Sequence, residues 1–85
     1  MEWEESTQQR FRQMLDKIPV FLRPLAQEKV ARKAEALAAH NNCARVQEKH
    51  MVDAFFLETP FGFHGPMKND MKELGIDYAS YGHPQ

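Results

Sequence analysis

Two prolines, Pro19 and Pro24, constrain the fold of this 85-residue chain more than any other feature. Pro19 disfavours helical geometry at Ile18 and ends a helix there. Pro24 suits the first turn of a new helix, where its missing N–H is not needed. The residues between them include the apolar run Val20, Phe21 and Leu22. We therefore predict two helices joined by a structural hinge, with Ile18, Phe21 and Leu22 filling the corner between them. The hinge residues are Ile18, Pro19, Phe21 and Pro24.

Hydrophobic spacing predicts an all-α domain of three to four helices. Apolar residues recur at helical intervals over residues 6–18, 24–40 and 47–57, and more briefly over 67–74. Gly75 is suited to stop the last helix. Residues 43–46 are predicted to be an extended linker, 59–66 a loop and 76–85 an irregular tail. We divide the chain into a helical domain, 1–57, and a segment of aromatic loop, short helix and tail, 58–85.

Composition excludes several classes of protein. With 42% hydrophobic and 27% charged residues, the chain is neither a disordered tail nor a membrane-spanning protein. The longest apolar run is four residues, 54–57, far below the roughly 20 that a spanning helix needs. A single cysteine suits a reducing compartment. We therefore expect a cytoplasmic protein that does not bind membranes.

Charge is uneven along the chain, because residues 10–49 carry nine basic and four acidic side chains although the net charge is −1. This excess either steers an anionic partner or is an ordinary solvated surface. Arg23, at the start of a helix, is expected to pair with a carboxylate inside the domain or on a partner. Nucleic-acid binding is the alternative, although the sequence pI of about 6.4 is low for such a domain. The basic residues that support it are Arg23, Lys29, Arg32 and Lys33.

The sequence contains no catalytic motif and no cofactor fingerprint. Its only glycine-dense segment, 62–65, lacks the lysine and the preceding strand of a phosphate-binding loop. Histidine and cysteine side chains are candidate metal ligands, but their spacing matches no zinc finger. They are His40, Cys43, His50 and His64. We predict no enzyme activity for the chain alone and no cofactor, with a metal-carrying protein as an open alternative.

Aromatic residues near the C-terminus are the best candidates for partner binding. Phe61 and Phe63 lie between glycines and prolines, and they either close a small core or form an exposed apolar patch. Tyr78 and Tyr81 enrich the terminal segment in amphipathic rings that suit docking. With the basic side chains, the predicted partner-binding set is Arg23, Lys29, Arg32, Phe61, Phe63, Tyr78 and Tyr81.

The hinge also carries a family resemblance. The run Ile18-Pro19-Val20-Phe21-Leu22-Arg23 is followed by a basic helix with Glu35-Ala36, then by Val46, Val52 and Ala54. Together with Trp3, this pattern resembles the small C-terminal domain (PCP_red type) of light-independent protochlorophyllide reductase. The Fe–S ligands and substrate cavity of that enzyme lie outside this domain. The resemblance therefore implies a stand-alone, non-catalytic interaction module, an accessory subunit that binds a larger, reductase-like enzyme subunit in an oxidoreductase complex.

Overall fold

The computed structural model describes all 85 residues, and it confirms a small all-α domain. Its four helices are α1 (Glu5–Asp16), α2 (Arg23–His40), α3 (Glu48–Glu58) and α4 (His64–Glu73). Three short 3-10 turns, Val20–Leu22, Phe61–Phe63 and Tyr78–Tyr81, precede α2, precede α4 and follow α4. None of the helices has the length and apolar character that crossing a membrane requires.

Two very short strands align the beginnings of α1 and α3. The strands β1 (Glu2–Trp3) and β2 (Arg45–Val46) pair in parallel, with Trp3 opposite Val46. The Glu4 N–H extends the pairing by donating to the Val46 carbonyl at 3.0 Å. The prediction of a linker over 43–46 is therefore wrong for residues 45–46, which form a strand. Its partner strand lies more than forty residues away, beyond the reach of a local pattern.

The core lies between α2 and α3, which form the most extensive helix pair of the fold. Ala34 and Ala38 are fully buried on one face of α2, and their small side chains leave room for a close neighbour. Met67, Met71, Ile76 and Tyr78 join the same core from beyond residue 57. The C-terminal segment therefore completes the core.

The predicted hinge is present as a bend, but its side chains are arranged differently from the prediction. Ile18 packs against the core, whereas Phe21 is 82% exposed and Leu22 is 42% exposed. The expectation that Phe21 and Leu22 fill the corner is wrong. The last carbonyls of α1 need hydrogen-bond donors, and Arg23 supplies them from inside the bend. An apolar ring has no donor to offer there.

The C-terminal third is more regular than predicted. Helix α4 begins at His64, three residues before the predicted start at residue 67, with Gly65 and Pro66 in its first turn. Pro66 fits there because the first N–H groups of a helix have no partner within the helix. The predicted stop is confirmed, since Gly75 has a φ of +74° just after the helix. The predicted irregular tail includes a 3-10 turn, Tyr78–Tyr81.

Candidate functional site

Two junctions of the chain have the same construction. In each, a proline precedes a three-residue 3-10 turn, and the next residue begins an α-helix. The proline φ and ψ angles are −51° and 140° at Pro19, and −55° and 143° at Pro60. We call residues 19–23 the hinge turn and residues 60–64 the aromatic turn. The chain thus makes one kind of turn twice, after α1 and after α3.

Arg23 ends the hinge turn and caps α1. Its Nε donates to the carbonyls of Leu15 and Ile18, both at 2.9 Å, and its Nη2 donates to the Asp16 carbonyl at 3.0 Å. The predicted pairing with a carboxylate inside the domain is therefore wrong, because backbone oxygens take these bonds, while pairing with a carboxylate of a partner stays a prediction. Arg23 thus contributes to the fold through Nε and Nη2, and its predicted role in partner binding stays a prediction.

His64 ends the aromatic turn and caps α3 in the same way. Its Nε2 lies 3.1 Å from the Phe56 carbonyl and 2.9 Å from the Thr59 carbonyl. Both oxygens only accept hydrogen bonds, so Nε2 carries a proton and donates it to them. The acceptors lie eight and five residues before His64, as Leu15 and Ile18 do before Arg23. The two junctions share a capping device as well as a backbone path.

Both turns expose apolar side chains. Phe61 is 87% exposed and Phe63 is 65% exposed, while Phe21 and Val20 are exposed on the hinge turn. Of the two alternatives for Phe61 and Phe63, the structure therefore selects the surface. Clustered exposed apolar residues mark interaction sites more often than chance.

An open groove of about 530 Å³ lies beside the aromatic turn. Helices α2, α3 and α4, the turn and the tail all contribute to it, and we call it the aromatic groove. Ligand sites commonly enclose about 300–1,000 Å³, so its size suits a few side chains or a small molecule. Among the lining residues are Leu37, Asp53, Phe56, Leu57, Phe61 and Lys68.

Phe56 is held in place by several neighbours in the aromatic groove. The His83 ring stacks on it with centroids 3.9 Å apart and planes 2° apart. The His64 ring meets it edge-on at 5.1 Å, and Lys68 Nζ lies 6.0 Å from its centroid. Cations near an aromatic ring are attracted by its quadrupole. The groove thus combines an ordered apolar wall with a nearby positive charge.

The tail forms one side of the aromatic groove and is fastened to α3. His83 Nε2 lies 2.6 Å from Asp53 Oδ1, and the Tyr81 hydroxyl donates to Glu48 at 2.7 Å. Burial, aided by this hydrogen bond, raises the pKa of Tyr81 to about 12. Tyr78 is only 2% exposed. The predicted docking role of Tyr78 is therefore wrong, because its ring is core, and Tyr81 is engaged within the fold.

A second groove, of about 410 Å³, lies between α2 and the end of α3. We call it the basic groove, and its lining residues are Lys29, Arg32, Lys33, Ala36 and Glu58. Arg32 Nη2 lies 2.8 Å from Glu28 Oε1, whereas Lys29 and Lys33 form no ion pair. The structure thus places Lys29 and Arg32, and Lys33 with them, in one groove.

The candidate metal ligands do not converge. His50 is buried, and its Nδ1 accepts a hydrogen bond from the Gln47 N–H at 2.9 Å. His64 is the cap described above, while His40 lies in the last turn of α2. Cys43 Sγ contacts the Asn41 carbonyl at 3.8 Å. No group of three or more histidine, cysteine, aspartate or glutamate side chains is placed to hold a metal ion.

Of the nine residues that line the aromatic groove, sequence reasoning named only Phe61 and His64 as site candidates. Asp53, Lys68 and His83 come together only when the tail folds back onto α3. Phe56 carried a usable signal, because adjacent helix residues point about 100° apart. With Phe55 in the core, Phe56 has to face another surface.

Comparison with known proteins places the chain in one family. A family model with the description "Protein of unknown function (DUF2621)" matches residues 1–84. "Membrane protein YneK" of Bacillus subtilis (strain 168) is 25% identical over 79 residues, which is 93% of this chain and 56% of that protein. The chain therefore spans little more than half the length of this relative. No solved structure matches.

These matches overturn the resemblance to the protochlorophyllide reductase domain. The family model covers both the hinge and the C-terminal segment, and its description names no reductase. The expected place in a reductase-like oxidoreductase complex is withdrawn with it. The Ile-Pro-x-Phe-x-Arg run is explained locally, because the hinge turn needs a proline at its start and Arg23 as its cap.

Proposed function

The chain belongs to the family described as proteins of unknown function (DUF2621), and we propose that it is a non-catalytic protein-interaction module. The observation that carries this proposal is the aromatic groove, where Leu57 and Phe61 remain exposed beside a concave apolar surface. Apolar side chains of a partner would gain burial there without displacing any core residue. The free energy gained grows with the apolar area removed from water.

The shape of the groove favours a protein segment over a flat surface. A side chain can enter a concavity of about 530 Å³, whereas a planar bilayer contacts only its rim. Nucleic acid is disfavoured because the sequence pI of about 6.4 is low for a nucleic-acid-binding domain, and because Arg32 of α2 is already paired with Glu28. The unpaired Cys43 suits a reducing interior, and we place the module in the cytoplasm.

A membrane remains the competing partner to test, since the Bacillus subtilis relative is named a membrane protein. Vesicles of anionic phospholipid separate the two possibilities. The proposal expects no co-sedimentation of the full chain with such vesicles at physiological salt. Co-sedimentation that Phe61→Ser abolishes would reassign the aromatic turn to a membrane surface.

Site-specific photo-crosslinking tests the proposal directly. A photoreactive phenylalanine analogue replaces Phe61 in one variant and Phe21, equally exposed on the matching turn, in another. We expect a protein adduct from position 61 in the native host, identified by mass spectrometry. The identified partner, once purified, should bind the wild type and Phe21→Ser equally and bind Phe61→Ser at least about tenfold more weakly. If Phe21→Ser and Phe61→Ser weakened partner binding equally, the aromatic groove would not be the binding site.

A further inference from the structure

We infer that the partner segment is an amphipathic acidic helix that lies across both grooves; this inference rests on the proposed interaction function. The grooves are neighbours in the fold. Ala36 lines the basic groove and Leu37 the aromatic groove, and in α3 Leu57 lines the aromatic groove and Glu58 the basic one. The two grooves therefore lie next to each other along α2 and at the end of α3.

Helix α2 sets the dimensions of this pair of grooves. Lys29, Lys33 and Leu37 follow one another at intervals of four residues and thus lie on one side of the helix. From the first to the last is about 12 Å at 1.5 Å per residue. A bound helix of about eight residues covers that distance. Its apolar positions and its acidic positions must then lie about one to two turns apart.

Charge determines which end of the ligand meets which groove. Lys29 and Lys33 have no carboxylate partner, so acidic residues of a ligand would meet two available cations in the basic groove, which outnumber its one carboxylate, Glu58. Lys68 adds a cation at the aromatic groove. Helices that bind in grooves are anchored by apolar residues at spacings of three and four. Leucine or phenylalanine at such positions fits the aromatic groove, while glutamates one to two turns away face Lys29 and Lys33.

Two synthetic peptides test the acidic character. Both are about 18 residues long so that a helix can form, and both carry leucines at i, i+3 and i+4. One places three glutamates one to two turns away, and the other has glutamines at the same positions. Binding to the full-length chain is measured by fluorescence anisotropy at low and high salt. We expect the glutamate peptide to bind about tenfold more tightly at low salt, with the difference shrinking as salt screens the charges.

Paired charge reversals locate the effect. Lys29→Glu with Lys33→Glu should abolish the preference for the glutamate peptide, and Leu57→Ser should weaken both peptides. The matched control reverses Lys49 and Lys72, which are exposed, form no ion pair and line neither groove. This control should bind like the wild type.

The outcomes separate the two proposals. If both peptides bind equally and only Leu57→Ser weakens them, the acidic inference fails while the interaction function stands. If neither peptide binds and the photo-crosslinked partner is also absent, both fail. A preference that survives reversal of Lys29 and Lys33 but is lost in the Lys49 and Lys72 control moves the site elsewhere and overturns the inference.

Discussion

The two halves of the chain repeat one order of elements, and their differences are informative. Each half consists of a short strand, a helix, a proline-initiated 3-10 turn and a second helix, and the two strands pair with each other. The turns match in backbone angles, in the offsets of their capping bonds and in exposed apolar side chains. Of the two grooves, however, only the aromatic groove adjoins a turn, and that turn is the aromatic one. Exposure of apolar side chains therefore does not distinguish the two turns, whereas the presence of a neighbouring groove does.

The halves also differ in how well their polar groups are satisfied. Arg23 bonds three carbonyls at the end of α1, two through a shared Nε–H and one through Nη2, while His64 shares one N–H between two carbonyls at the end of α3. At the start of the first helix of each half, the polar groups of the second half are the better satisfied ones. Gln47 and His50 cap α3 reciprocally, whereas α1 has no side-chain cap and the buried Thr7 hydroxyl has no partner. The first half therefore has the better-bonded cap at the end of its first helix, and the second half has the better-bonded helix start.

The largest expected effect distinguishes the two caps. Arg23→Ala removes a charged donor that bonds three backbone carbonyls at the end of α1, which should lower the free energy of unfolding by about 3 kcal/mol. His64→Ala should cost about 1 kcal/mol, because a single neutral N–H is lost. Urea unfolding measures both, with Arg32→Ala as a surface control expected to change stability by less than about 0.5 kcal/mol. Equal losses at Arg23 and His64 would break the comparison.

The second prediction concerns pH and the start of α3. Burial is the main reason why the pKa of His50 lies below the usual 6.5. The unfolded chain then binds a proton near pH 6.5 that the folded chain binds only at lower pH. The stability linked to His50 is therefore fully present above pH 6.5 and declines as pH falls from there towards the lower folded pKa. His50→Gln should flatten the dependence of stability on pH in this window, as measured by urea unfolding at a series of pH values.

The matching position in α1 carries the opposite expectation. Thr7→Val replaces an unpartnered buried hydroxyl with a methyl group of similar shape. Because burying an unbonded hydroxyl is unfavourable, the substitution should raise the free energy of unfolding by about 0.5–1 kcal/mol. A clear loss of stability would show that the hydroxyl does have a partner in solution, such as water. Thermal unfolding of Thr7→Val and of Thr7→Ser separates these outcomes.

The smallest expected effect is on the exposed turns themselves. Phe21→Ser and Phe61→Ser should each change stability by less than about 0.5 kcal/mol, because neither ring is buried. Met71→Ala, in the core, should cost about 2–5 kcal/mol in the same assay. A large loss from either phenylalanine would mean that its turn packs against the fold in solution, and that the surface proposed for binding is smaller.

Much of the fold was predictable because its signals are local. Apolar spacing placed the ends of α1, α2 and α3 within about two residues of their observed positions. Pro19 and Pro24 marked the end of α1 and the start of α2, and Gly75 marked the end of α4. The same reasoning failed at Phe21 and Leu22. Their apolar character does not reveal that the carbonyls at the end of α1 need a hydrogen-bond donor, so that Arg23 and not an apolar side chain fills the bend. The reasoning failed again at residues 64–66, where Gly65 and Pro66 look like a loop but occupy the unbonded first turn of α4.

The candidate site was predictable in part. Lys29, Arg32, Phe61 and Phe63 stood out by residue type, and the structure places the first three along the two grooves and Phe63 at the surface. Tyr78 stood out equally and is buried, because an aromatic residue near a terminus can as readily complete a small core.

By itself the sequence determined an all-α chain with a bend between Pro19 and Pro24, since helix periodicity and proline geometry act over a few residues. Only the tertiary structure decided that the hinge turn and the aromatic turn have the same backbone path and the same kind of cap. It also decided that Arg23 faces inward, Phe21 outward, and that the tail forms one side of a groove with α3. These outcomes depend on contacts between residues eight to more than forty positions apart. No local pattern carries that information.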